Sequence, residues 1–116
     1  MNQENCLFCK IAAGVIPSEP VYEDEVCVAF NDISPQAPTH ILVIPREHIA
    51  SLDKAESNHR ETLGHLLLTA ADIARKQGFA EDGYRVVLNT NSDGGQTVFH
   101  IHVHLLGGRQ FIFPPG

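Results

Sequence analysis

His100-Ile-His102-Val-His104-Leu-Leu, near the end of the chain, constrains the fold more than any other stretch. Three imidazoles alternate with apolar residues, and strand side chains alternate between the two faces of a sheet. The pattern predicts a strand over 99–106, with His100, His102 and His104 on one face and Phe99, Ile101, Val103 and Leu105 directed into a core. At ~3.3 Å rise per residue, neighbouring histidines stand about 7 Å apart. Histidine titrates near neutral pH, binds metals and serves as nucleophile, acid or base. Three in a row fill a merely wetted face poorly, so a metal chelate and a nucleophilic site compete.

The other elements fit around that strand. Val26–Phe30 is a short β-branched run, and Thr39–Pro45 is a buried strand closed by proline. Tyr84–Asn89 is a third strand; Pro17 and Pro20 break the chain before Val21–Glu23. Leu7, Phe8 and Ile11 share one stripe of a short helix within 5–13, stopped at Gly14. From 58 to 77, Leu63, Leu66, Leu67, Ala70, Ile73 and Ala74 recur at helical period, with Gly78 as the stop. Asp53 and Glu56 suggest a capping box for a short helix before it. The tail from Gly107 to Gly116 looks extended. This order implies an α+β class: an antiparallel sheet of about five strands, one long helix and a short N-terminal helix. At 116 residues the chain has room for one core, so 1–116 is read as one domain.

A net charge of −6 argues against a general nucleic-acid binder, which needs a basic face. No apolar run approaches the ~20 residues of a membrane span. Met1 to Asn5 lacks the basic and apolar regions of a leader, so a cytoplasmic location is expected. Three cysteines, an odd number, do not make a disulfide framework. Cys6-x-x-Cys9 is a metal or redox pair, and it opens the chain rather than sitting in a thioredoxin-like pattern. Cys27, on an apolar strand, reads as a small buried hydrophobe.

Ser92-Asp-Gly-Gly-Gln-Thr97 leads straight into the histidines. Paired glycines let backbone amides cradle an anion, and Thr97 adds a hydroxyl donor. A double glycine alone is an ordinary hairpin turn; joined to the histidines it describes phosphate chemistry. The GxxxxGK[ST] loop of ATP-driven phosphoryl transfer is missing.

Gly95-Gln-Thr-Val-Phe-His100-Ile-His102-Val-His104-Leu-Leu resembles the signature of the histidine triad (HIT) family. Phe30 to Pro45, Asn89 to Gly95, Gly107-Gly-Arg109 and Pro114-Pro-Gly116 extend the resemblance over nearly the whole chain. It is closest to the Hint branch, the nucleoside phosphoramidate hydrolases. The resemblance implies cleavage of the P–N bond of purine nucleoside 5′-phosphoramidates, or aminoacyl-adenylate-like compounds, through a nucleotidyl-His102 intermediate. It places His104 and His40 around the reacting phosphate, and Asn89, Thr97 and the Gly95–Gln96 backbone on the α-phosphate and leaving-group side. The family more often has Ser where Thr97 stands; the hydroxyl is kept.

Asp32 matches the residue that binds the ribose hydroxyls, although the residue type alone fits a turn equally well. Phe8, Phe30, Ile33 and Leu42 would line the base pocket or serve as plain core. Some members bind zinc, which implies a Cys₂His₂ set of Cys6, Cys9, His48 and His100. His59 and His65 are expected to carry no chemistry. Hint-branch relatives form homodimers through the long helix and a neighbouring strand, with tails that reach toward the partner's site. Phe111-Ile-Phe113 suits such docking, with Phe113 standing where Trp is common. Two other functions stay open: dinucleoside polyphosphate hydrolysis or nucleotidyl transfer, and a zinc- or nucleotide-binding interaction module with little turnover.

Overall fold

The computed structural model describes residues 5–116; the opening Met1–Glu4, on which the expectation about a leader largely rests, lies outside them. Helix α1 spans Leu7–Ala12, β1 Tyr22–Glu23, β2 Cys27–Asn31 and β3 Thr39–Pro45. Helix α2 spans Arg60–Gln77, β4 Tyr84–Val87 and β5 Val103–Gly107. The strands form one antiparallel sheet in the order β1-β2-β3-β5-β4, the expected α+β architecture. Its fifth strand is β1, whereas the tail beyond Gly107 forms no strand.

Alternation along β2 and β3 feeds two cores, one on each face of the sheet. Ala29, Ile41, Val43, Ile101, Val103 and Leu105 pack with Leu66, Ala70, Ile73 and Ala74 of α2. Val28, Phe30, Leu42 and Ile44 pack on the opposite face with Cys6, Phe8 and Ala12 of α1. Both faces are covered, which is why β3 reads as an unbroken apolar run rather than an alternating one. Gly78 ends α2 in the left-handed conformation, φ 87°, with its N–H bonded to the Ala74 and Arg75 carbonyls. Leu67 departs from the expected buried stripe: it is about half exposed, beside the still more exposed Leu68.

The short helical turns before α2 are capped differently from expectation. Ser51 caps Leu52–Lys54, accepting the Lys54 N–H, so Asp53 is not the cap. Glu56 instead begins the next turn and forms a capping box with His59. His65 on α2 meets Asp24 at 2.6 Å, where that carboxylate also accepts the Tyr22 hydroxyl and the Val26 and Cys27 amides. Burial alone would raise the Asp24 pKa. These hydrogen bonds overcome it and hold the carboxyl well below the usual range. His59 and His65 thus brace the structure, His59 against Glu47 and Glu56 and His65 against Asp24.

Candidate active site and metal centre

The expected strand over 99–106 is shorter in the structure, because β5 begins only at Val103. Ahead of it the Ile101 N–H donates to the Ile49 carbonyl at 2.7 Å instead of continuing the ladder with β3. Tyr84–Asn89 shortens likewise: β4 stops at Val87, opposite His104, near the start of its partner. Phe99, outside the strand, is exposed rather than core. The histidines keep their alternation nonetheless, with Ile101, Val103 and Leu105 against α2 and the imidazoles on the α1 side.

His102 is buried, its ring edge-on to Phe8 with centroids 5.1 Å apart. Its Nδ1 lies 2.9 Å from the His100 carbonyl oxygen. A carbonyl only accepts, so in the neutral ring Nδ1 carries the proton and Nε2 the lone pair. His104 faces Leu42 across the ladder, and His40 lies one diagonal step away on β3. The Gln36 N–H donates to His40 Nδ1 at 3.0 Å, which places the neutral-ring proton of His40 on Nε2. That Nε2–H points at His104 Nδ1, 2.9 Å away, so neutral His104 carries its own proton on Nε2.

Burial lowers the pKa of both rings. For His104, burial and the neighbouring His102 and His40 push it down to about 4; for His40 burial outweighs the opposing Asp32 carboxylate. The pair is neutral at pH 7 and has a direction, from the Gln36 amide through His40 to His104.

His102 and His104 border a cleft of about 270 Å³ walled by Phe8, Phe30 and Leu42, with Asp32 and Thr97 at its polar edge. Ile33 lines it too, but as a fully exposed rim residue. Asp32 performs the turn role that its residue type suggests: Oδ1 accepts the Ser34 N–H at 2.8 Å. Its Oδ2, 3.5 Å from His40 Nε2, leaves acceptor capacity toward the cleft.

Other expected residues lie apart. His40 stands behind His104, and neither Asn89, Gly95 nor Gln96 lines the cleft. The expected amide cradle also differs, since the Gly95 and Gln96 N–H groups are spent on the Ser92 and Asn91 carbonyls. The Gln96 side chain is buried and ties the loop together, accepting from Asn91 N and donating to the Ala50 and Val98 carbonyls. Leu7, Ile11 and Val98 also line the cleft, a role the sequence alone did not assign to them. For the helical pair, the apolar stripe of α1 was the available signal.

On the far side of Phe8, the thiols of Cys6 and Cys9 meet His48 and His100, all four donor atoms within 4.8 Å of one another. Cys6 caps α1, its sulfur accepting the Cys9 N–H. His48 Nδ1 is 3.1 Å from Cys9 Sγ, and His100 Nδ1 lies 3.3 and 3.4 Å from the two sulfurs. A tetrahedral zinc with ordinary bond lengths separates its donors by about 3.3–3.8 Å, so the set fits. His100 Nε2 donates to the Pro45 carbonyl at 2.8 Å, which turns the Nδ1 lone pair toward the thiols. With no cation, burial and the Cys6 hydrogen bond push the Cys9 thiol up to about 11. A divalent ion among the four would reverse that and stabilise thiolates.

Residues 13–111 match the HIT domain family model. The chain is 53% identical over 106 residues to the purine nucleoside phosphoramidase of Escherichia coli K12, covering 91% of this chain and 89% of that one. It is 56% identical over 112 residues to a 14 kDa zinc-binding protein of Zea mays, covering 95% and 87%. Among solved structures it is similar to a HIT family hydrolase from Legionella pneumophila, with TM-score 0.94 and 54% identity, over 97% of this chain and 100% of that one.

Proposed function

The chain belongs to the HIT domain family and is a hydrolase of that family; from this premise we propose that it cleaves the P–N bond of purine nucleoside 5′-phosphoramidates. One observation carries the reading. The Nδ1 bond of His102 to the His100 carbonyl fixes the lone pair of the neutral ring on Nε2, at the wall of an apolar cleft with Asp32 at its edge.

The steps follow from those groups. The base lies between Phe8, Phe30 and Leu42, and Asp32 accepts from the ribose hydroxyls. The His102 Nε2 lone pair forms a bond to the α-phosphorus as the P–N bond breaks. The departing amine takes up a proton from water, while the Nε2–H of neutral His104, backed by His40, donates a hydrogen bond at the reacting phosphate and keeps its proton. Thr97 Oγ1 holds a phosphoryl oxygen, carried by the loop that the Gln96 side chain ties together. Water then cleaves the nucleotidyl-His102 bond, giving the nucleoside monophosphate and the free imidazole.

We also propose zinc at Cys6, Cys9, His48 and His100, supported by the donor spacing and by the zinc-binding protein of Zea mays. Held by these four residues, zinc would cross-link α1 to the segments after β3 and before β5. Leu67 and Leu68 on α2 and Val86 on β4 are exposed apolar side chains, which supports pairing with a second copy as a homodimer. Among the described residues no helix is long and apolar enough to cross a membrane. Three free thiols suit a reducing compartment such as the cytoplasm.

Release of AMP from adenosine 5′-phosphoramidate, followed by chromatography for the wild type and His102→Ala, tests the function. Turnover should vanish in the folded variant. A higher specificity constant on dinucleoside polyphosphates would replace this substrate class, and no turnover on either would favour the binding module.

A further inference from the structure

The C-terminal segment makes contacts that the chemistry above does not use. Arg109 reaches back to the loop between β2 and β3, where its Nε and Nη2 donate to the Gln36 carbonyl at 3.3 and 3.1 Å. Gln36 is the residue whose N–H caps His40 Nδ1. Phe111 supports the guanidinium with its ring face, centroid 4.2 Å from Cζ. Arg85 covers the same ring at 5.2 Å and holds the Ile112 carbonyl. Gly108, at φ 93°, lies so close to Pro38 that an added Cβ would come within 2.8 Å of the proline ring.

We propose that Arg109 is a positioning residue for the His40–His104 pair, acting through the main chain of Gln36. The loop is exposed around Gln36, and among the described residues its own side chain bonds only Ser34 O nearby. Arg109 fixes the carbonyl of Gln36 and His40 engages the amide, so the peptides on both sides of one residue are set together. If that amide turns away, His40 Nδ1 loses its donor and can take the ring proton itself. His40 Nε2 is then an acceptor, and His104 must place its proton on Nδ1 to keep their bond. His104 would face the cleft with a bare lone pair instead of an N–H. Arg109 thereby sets the polarity of the relay without touching substrate.

The kinetic consequence rests on the proposed P–N hydrolysis, but the tautomer does not, so nitrogen-15 NMR of the histidine rings is the primary test. In the wild type His104 should be protonated at Nε2 and His40 at Nε2. Arg109→Ala should move a substantial fraction of His104 to the Nδ1-protonated form, and free guanidinium should restore the original pattern. Phe111→Leu keeps Arg109 but removes its stacking face. It should give a smaller shift of the same sign, and it stands in if Arg109→Ala fails to fold. With the phosphoramidate substrate, Arg109→Ala should lower kcat by about tenfold to a hundredfold with little change in KM. Unchanged tautomers in both folded variants, or wild-type His104 protonated at Nδ1, would overturn the proposal even if hydrolysis is confirmed. The tautomer shift without any turnover would sustain it and remove the hydrolase reading instead.

Discussion

Acidification should expose the buried neutral state of His104 as a measurable loss of stability. Burial and two neighbouring imidazoles hold its pKa at about 4, against 6.5 for an ordinary histidine. As the pH falls through 6.5 the unfolded chain gains a proton that the folded one refuses. The contribution is therefore fully present above pH 6.5, is lost between 6.5 and about 4, and changes no further below. At about 1.4 kcal/mol per pH unit, the loss by pH 4 is about 3 kcal/mol. His104→Asn cannot titrate there and should lack that share. Urea unfolding of both proteins at several pH values from 7 to 4 isolates it, because acid effects common to both, such as metal release, cancel in the difference. The stability gap between them should close by about 3 kcal/mol on going from pH 7 to pH 4. A gap that does not vary with pH would mean that folded His104 protonates as readily as a free imidazole, and the burial argument for its neutral state would fall.

Asp32→Asn keeps the oxygen that accepts the Ser34 amide while removing the charge from the diol site. Ribonucleotide binding should weaken about tenfold, with 2′- or 3′-deoxy analogues affected less, as titration calorimetry would measure; equal losses would remove the ribose role. Gly94→Ala would bring a methyl within 2.9 Å of the Thr90 N atom and closer still to its carbonyl oxygen. The loop that carries Thr97 has to shift, so turnover should fall more than stability, checked by kinetics beside thermal melting. Tag-free protein should hold about one zinc per chain by elemental analysis, and Cys9→Ser should lose most of it. Metal far below one per chain with no uptake on reconstitution would exclude the site.

Much of this was legible in the sequence because local signals agreed with the fold. Thr39–Pro45 is a strand with the expected bounds, since an apolar run with β-branched Ile and Val ends at a residue that cannot donate to the ladder. Helix α2 stops where Gly78 permits a left-handed cap. What stayed hidden depends on distant partners. Phe99 fits the alternation, but Ile101 bonds Ile49 and draws that segment off the ladder. A double glycine suggests a free amide cradle, yet Asn91 and Ser92 take up the Gly95 and Gln96 amides. The capping signature fits more than one frame around 51–59, and only tertiary placement chooses Ser51 and Glu56. The four metal-type ligands could be named from a resemblance, whereas their closeness follows from α1 packing against the sheet beside His100. No local pattern links Arg109 to Gln36, or His40 to His104.

The central claim is that His102 bonds covalently to phosphorus. Its most direct test is the stereochemical course of hydrolysis, using adenosine 5′-phosphoramidate made chiral at phosphorus with sulfur and cleaved in oxygen-18 water. Two in-line displacements, one by His102 and one by water, predict net retention of configuration. Inversion would mean that water attacks phosphorus directly, and would contradict the nucleophilic role of His102.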